Sequence, residues 1–257
     1  MFTDHLILDL LLIASGLYGL IYVLGPLLLY FSWSMNRNFI MQEIDPTDLE
    51  LPEEVREYFG QVFSELVPVG FRHRSVYLIP DLIDNTIAVF ALYDNVKESC
   101  FAISVNMYAS TGGSAIQDQH VQISGRDKQD VTYTVNNTNQ PNAFAPVPNR
   151  NIYNFQNVIR ADELFQLYRG VLQFEKVSLR PLPNTSEYEK LIRQNLESEL
   201  LEQLGTGYLK LDQNESHFQM TIKGAILMTY KNLFPFTVFG RWKRQSEARS
   251  WKAKLNL

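Results

Sequence analysis

TIAVFALYDNVKESCFAISVNMY, residues 86–108, decides the fold class. In its second half Phe101, Ile103, Val105 and Met107 alternate with Ala102, Ser104, Asn106 and Tyr108. That is the period of a strand with one buried face. The first half is apolar on both faces, with Ile87, Val89 and Ala91 on one side and Ala88, Phe90 and Leu92 on the other. A strand covered on both sides belongs in the middle of a sheet.

Working outward, residues 71–79 form a strand before this pair, separated from it by the turn residues Pro80, Asp81, Asp84 and Asn85. Beyond it, Val121 and Ile123, then Val131, Tyr133 and Val135, keep the same alternation. The connections are short and carry Gly112-Gly113 and Gly125-Arg126-Asp127, which predicts a roughly five-stranded antiparallel meander.

Helices flank it. Pro52, Glu53 and Glu54 open a helix whose apolar face runs Val55, Tyr58, Phe59, Val62, Phe63 and Leu66. Residues 161–174 and 187–204 read as two more, the second closing at Gly205. Residues 208–211 and 217–222 form a small hairpin, and helical sequence then runs from about 223 to the end, broken at Pro235. The fold class is therefore α+β.

Upstream, 22 consecutive residues from Leu10 to Phe31 carry no charge. As a helix they span about 33 Å, against about 30 Å of bilayer hydrocarbon. Tyr30, Phe31 and Trp33 suit the head-group boundary, and Asn36 and Arg37 mark the exit. A cleaved signal peptide fits less well: the first residues hold Asp4 and Asp9 and no Lys or Arg. Pro26, following Gly25, predicts a kink. Ser15 and Gly19 form a small-residue pair of the kind that brings two helices together, so a homodimer is one expected assembly. Basic flanking residues number one, Arg37, on the C-terminal side and none on the other, which favours a cytoplasmic domain.

These readings divide the chain into an anchor over 1–34, a connector over 35–50, an α+β domain over 51–222 and a basic aromatic segment over 223–257. The composition, 46% hydrophobic and 20% charged with a single cysteine, is that of a globular domain. It excludes an intrachain disulfide and multi-cysteine metal sites. Net charge is −5, yet residues 223–257 hold eight basic residues against the lone acid Glu247. Basic and aromatic residues together suit an anionic membrane surface, with Arg241, Trp242, Lys243, Arg244 and Trp251 as the contact. Trp242 and Trp251, however, are about 900° apart on a helix at about 100° per residue and face opposite ways. The competing reading packs one face on the acidic body. Nucleic acid is not expected as a partner of an acidic chain.

Candidate chemistry is sparse. His73, His120 and His217 lack metal-ligand spacing. A meander turning near residues 111–114 sets His120 opposite Val105, about 17 Å along the sheet from Cys100, so the two are not a nucleophile–base pair. Ser110-Thr111-Gly112-Gly113-Ser114 lacks the phosphate-loop ending. Asp81 and Asp84 are explained by turn geometry. No catalytic residue, metal site or cofactor is assigned. Residues 136–157 hold eight Asn and three Pro with one charge, Arg150, and read as a loop insertion available to a protein partner. Three functions remain. The first is a non-catalytic membrane-tethered interaction or assembly module. The second is a lipid or hydrophobic-ligand binder with a cavity lined by Phe101, Ile103, Met107 and Tyr133. The third is an enzyme built from dispersed residues such as His73 and His120.

Overall fold

The computed structural model describes residues 2–45, 51–83, 85–109, 116–140, 148–184 and 187–255. The strands are β1 (Ser34–Asn36), β2 (Gln42–Ile44), β3 (Arg72–Ile83), β4 (Thr86–Asn95), β5 (Cys100–Ala109), β6 (Ile116–Arg126), β7 (Thr132–Asn136), β8 (Arg150–Asn154), β9 (Leu209–Leu211) and β10 (His217–Met220). The helices are α1 (Phe2–Ser32), α2 (Glu53–Leu66), α3 (Ala161–Phe174), α4 (Tyr188–Gly205), α5 (Ile222–Asn232) and α6 (Phe236–Lys254). The protein is mixed α and β, as the alternation predicts.

The sheet is larger than the expected five strands. Among the described residues its ten strands run β8-β7-β6-β5-β4-β3-β1-β10-β9, with β2 also paired to β3. β4 is central and buried along almost its whole length, as its two apolar faces require. β3 to β7 form the antiparallel meander, and His120 stands opposite Val105 as expected. His73 pairs with Tyr93, and a register shift at Arg74 separates that pair from the Ser75–Leu92 pair.

Besides the expected terminal hairpin, the additional strands come from two places that show no period. The connector region supplies β1 and β2, three residues each. Met35 of β1 pairs with Ile83 on one side and Phe218 on the other, so the terminal hairpin joins the main sheet through it. The Asn-rich insertion supplies β8, which pairs in parallel with β7 and makes the sheet mixed rather than purely antiparallel. Three residues are too few to display alternation, and the Asn-rich β8 has low strand propensity. Residues 141–147 of that insertion, the loop at 110–114 and Asp84 lie outside the described residues.

Helices cover both faces. On one, α2, α3 and the end of α6 pack Phe59, Leu66, Phe165 and Tyr168 over Val89, Tyr93, Val121 and Ile123. Glu65, nearly buried on α2, accepts the Ala161 N–H at the first turn of α3 at 2.6 Å and so caps a helix 96 residues away in sequence. On the other face, α4 lies over Phe90, Leu92 and Phe101. Its first residue is pinned from below: Tyr188 donates to Asp94 Oδ2 at 2.9 Å, and Arg74 Nε donates to the same oxygen at 2.8 Å. Burial and the neighbouring Asp94 carboxylate push the Tyr188 hydroxyl pKa well up, so it stays a donor.

Candidate membrane-facing site

α1 contains one stretch, Ser15–Ser32, that is long and apolar enough to cross a membrane. Its Leu17, Val23, Leu28 and Phe31 side chains are exposed to the surroundings of the molecule. Leu10, Phe31 and the following Trp33, expected as its limits, lie respectively inside α1, inside α1 and between α1 and β1. Pro26 is accommodated within the helix.

The chain returns to α1 from its far end. β1 leaves α1 and hydrogen-bonds to β10, and α5 begins soon after β10 ends. Thr221 caps α5 by accepting the Gly224 N–H at 3.1 Å. α5 therefore starts beside the C-terminal end of α1 and runs back along it. The approach is close at Gly25, where an added Cβ would lie 2.9 Å from Thr229 Cγ2. Tyr22 and Tyr230 meet edge to face with centroids 5.1 Å apart. Beyond them the Tyr18 and Tyr22 hydroxyls both donate to the Phe234 carbonyl. Tyr18 and Tyr22 lie about 15–21 Å back along α1 from Ser32 at about 1.5 Å per residue. The turn between α5 and α6 thus lies level with the middle of the apolar stretch, and whatever medium surrounds Tyr18 and Tyr22 also reaches Phe234.

That turn is apolar and uncovered. Phe234, Phe236 and Val238 are exposed, Phe239 is 62% exposed and Trp242 67%. Along α5, Ile222, Ile226 and Tyr230 recur every fourth residue and line a groove of about 280 Å³ against Pro26 and Leu27 of α1. Behind the turn come the basic residues. Arg241 and Lys243 are exposed, while Arg244 is partly covered and reaches the Asn139 carbonyl at 3.5 Å. Burial, and secondly Arg241, hold the Arg244 pKa below its ordinary value.

α6 divides the tail residues singled out in the sequence into two groups. Arg241, Trp242 and Lys243 lie exposed in the first half with Phe239, where Arg244 is partly covered. Trp251 belongs to the second half, which is seated on the domain: its ring meets Tyr153 at 5.0 Å and Phe174 at 5.4 Å, beside the buried Ala248. This is the opposition of the two tryptophans expected from their spacing. Sequence reasoning missed the pairing of α5 with α1, although the four-residue repeat from Ile222 to Phe234 is its signal.

The dispersed titratable groups do not converge. His73 on β3 and His120 on β6 are three strands apart, about 14 Å at about 4.8 Å per strand. His73 lies between Phe63 and Tyr93, and burial lowers its pKa. His120 Nδ1 is 2.7 Å from Asp118. Cys100 is fully buried, and desolvation pushes its thiol pKa far up, opposite to what a nucleophile needs. Among the described residues no group of three or more His, Cys, Asp or Glu could hold a metal ion. No protein-family model, no curated protein and no solved structure matches this chain.

Proposed function

We propose that the chain is a single-pass membrane protein anchored by α1, in which the α5–α6 turn makes a second contact with the same bilayer. The domain so held works as a non-catalytic interaction or assembly module. The observation that supports this is the placing of Phe234, beneath the Tyr18 and Tyr22 hydroxyls, at the level of the apolar stretch of α1. A lipid environment for that stretch is then also the environment of the turn. Each large apolar side chain removed from water there contributes about 1.5–3 kcal/mol. Arg241 and Lys243 follow within two helical turns, where each contributes about 1 kcal/mol at an anionic surface. The cytoplasmic leaflet is the anionic one, in keeping with the lone basic flank at Arg37.

Two contacts fix what one flexible anchor leaves free, the orientation of the domain over the membrane. A fixed face suits a protein that presents a surface to a membrane partner. The groove between α1 and α5 offers an apolar helix of such a partner a seat. The test is a photoreactive residue at Ile226 in the full chain, irradiated in its native membrane. A discrete, reproducible protein adduct is expected. Adducts with lipid alone would refute the interaction reading.

A further inference from the structure

The sheet face under α4 is divided. On the β4–β5 side it is apolar, and on the β6–β8 side it is polar. Phe101, Ile103 and Met107, expected from sequence to line a cavity, do so together with Phe90 and Val105, with Leu196 of α4 above them, around a slot of about 250 Å³. Tyr133, expected with them, is not there. It pairs with Gly125 one position away from the cleft-facing Ser124–Thr134 pair, and so points to the opposite face.

The slot is continuous with a second, wider space of about 400 Å³, since Phe101, Thr132 and Asn195 line both. The wide end is basic, with Arg126, Arg180 and Lys190 against Glu187. The arginines around the cleft are not equally neutralised. Arg150 is matched by Glu199 at 2.5 Å, and Arg180 by Asp130 at 2.7 Å. Arg126 holds the Asn195 side-chain oxygen at 2.6 Å, and its ion pair with the already engaged Asp130 is long, at 3.8 Å. Desolvation first, then Arg180 and Arg150, lower its pKa, while Asp130 opposes them. A guanidinium in a partly dry site with an amide where a carboxylate would fit better attracts an anion.

We propose that the cleft beneath α4 binds a single-chain anionic amphiphile, with its carboxylate or phosphate head on Arg126 and its chain in the slot lined by Phe101, Ile103, Val105 and Met107. The cleft lies in the domain, away from the α1–α5 groove, so this site stands or falls independently of the membrane contact.

The test uses the full chain in phospholipid nanodiscs with a diazirine-bearing fatty acid as probe and adducts mapped by peptide. Adducts on β5 or α4 are expected. Laurate should displace them at about one-tenth the concentration that uncharged dodecanol needs, the effect of one charge-assisted contact. That comparison needs no variant. Lysophosphatidate run beside laurate tells a phosphorylated lipid from a fatty acid as the better ligand. Arg126→Gln should lower β5 and α4 labelling by about tenfold while leaving any adduct on α1 unchanged. Leu196→Trp, which fills the slot from the helix side, should abolish it. Adducts confined to α1 and α5, or dodecanol competing as well as laurate, would overturn the proposal.

Discussion

Replacing Arg74 with leucine should cost far more than the loss of a surface ion pair. Asp94 is 1% exposed in the folded protein, and Arg74 and Tyr188 both donate to its Oδ2. Taking a carboxylate out of water carries a penalty of several kcal/mol, which the two donors offset. The intact trio therefore adds little net stability. Removing Arg74 leaves the penalty in place without its compensation, a loss of about 3–5 kcal/mol for a buried pair. Arg74 is a quarter exposed, so water can enter where it stood, and the lower end, about 3 kcal/mol, is the expected value. Tyr188→Phe keeps the ring in the core and gives up one hydrogen bond to a charge, about 1.5–3 kcal/mol. Replacing Asp94 and Arg74 together by leucine should recover most of the single-variant loss, because no charge is stranded. Urea unfolding in mild detergent, followed by tyrosine and tryptophan fluorescence, reads all four proteins. An Arg74→Leu protein within about 0.5 kcal/mol of wild type would show that Asp94 is not stranded without its partner, as would a double variant no more stable than Arg74→Leu.

Other outcomes follow from the same structure. Gly25→Leu forces its side chain against Thr229 and should separate α5 from α1 at a cost of about 1–3 kcal/mol; a disulfide engineered between the two helices should then form more slowly, and an unchanged rate would argue against their contact. Glu65→Ala removes the cap of α3, with an expected loss of about 1–2 kcal/mol and faster amide exchange at Ala161; exchange no faster than wild type would contradict that role. Burial lowers the folded-state pKa of His73, so its contribution is complete above the unfolded value of about 6.5 and is lost as pH falls from there toward the folded value. His73→Phe should flatten stability between pH 7 and about 5, and an unaltered pH profile would exclude His73 as the source.

What was legible in the sequence was whatever repeats over several residues. The alternation from Phe101 to Met107 gave β5 its buried face. The two apolar faces of residues 86–93 put β4 at the centre, and the turn positions set His120 opposite Val105. α3 lies where the sequence placed a helix, around residues 161–174, and Ala161, Leu164, Phe165, Tyr168 and Val171 form its buried stripe. Features that depend on a distant partner left no local trace. Met35 becomes a strand residue only because Ile83 and Phe218 flank it. Arg150-Asn151-Ile152-Tyr153-Asn154 has poor strand propensity and is extended because β7 offers an open edge. The cap from Glu65 to Ala161 joins elements that no spacing rule connects. At the candidate membrane-facing site the composition of residues 223–257 was visible, and their division was not. Trp251 is committed to Tyr153 and Phe174, while Trp242 is left outside, because the two rings leave α6 on opposite sides and the side carrying Trp251 meets the domain.

In the proposed arrangement the α5–α6 turn shares the apolar environment of α1. A nitroxide at Val238, introduced as Val238→Cys in nanodiscs, reads that environment. Buried Cys100, with its thiol pKa pushed far up, stays unlabelled under mild conditions. Power-saturation measurements compare collisions with oxygen, which concentrates in lipid, and with a water-soluble nickel chelate. A turn in lipid gives a label reached by oxygen and shielded from nickel, with the order reversed for a label on the exposed Lys128. A Val238 label as open to nickel as the Lys128 label would place the turn in water and rule out its contact with the bilayer.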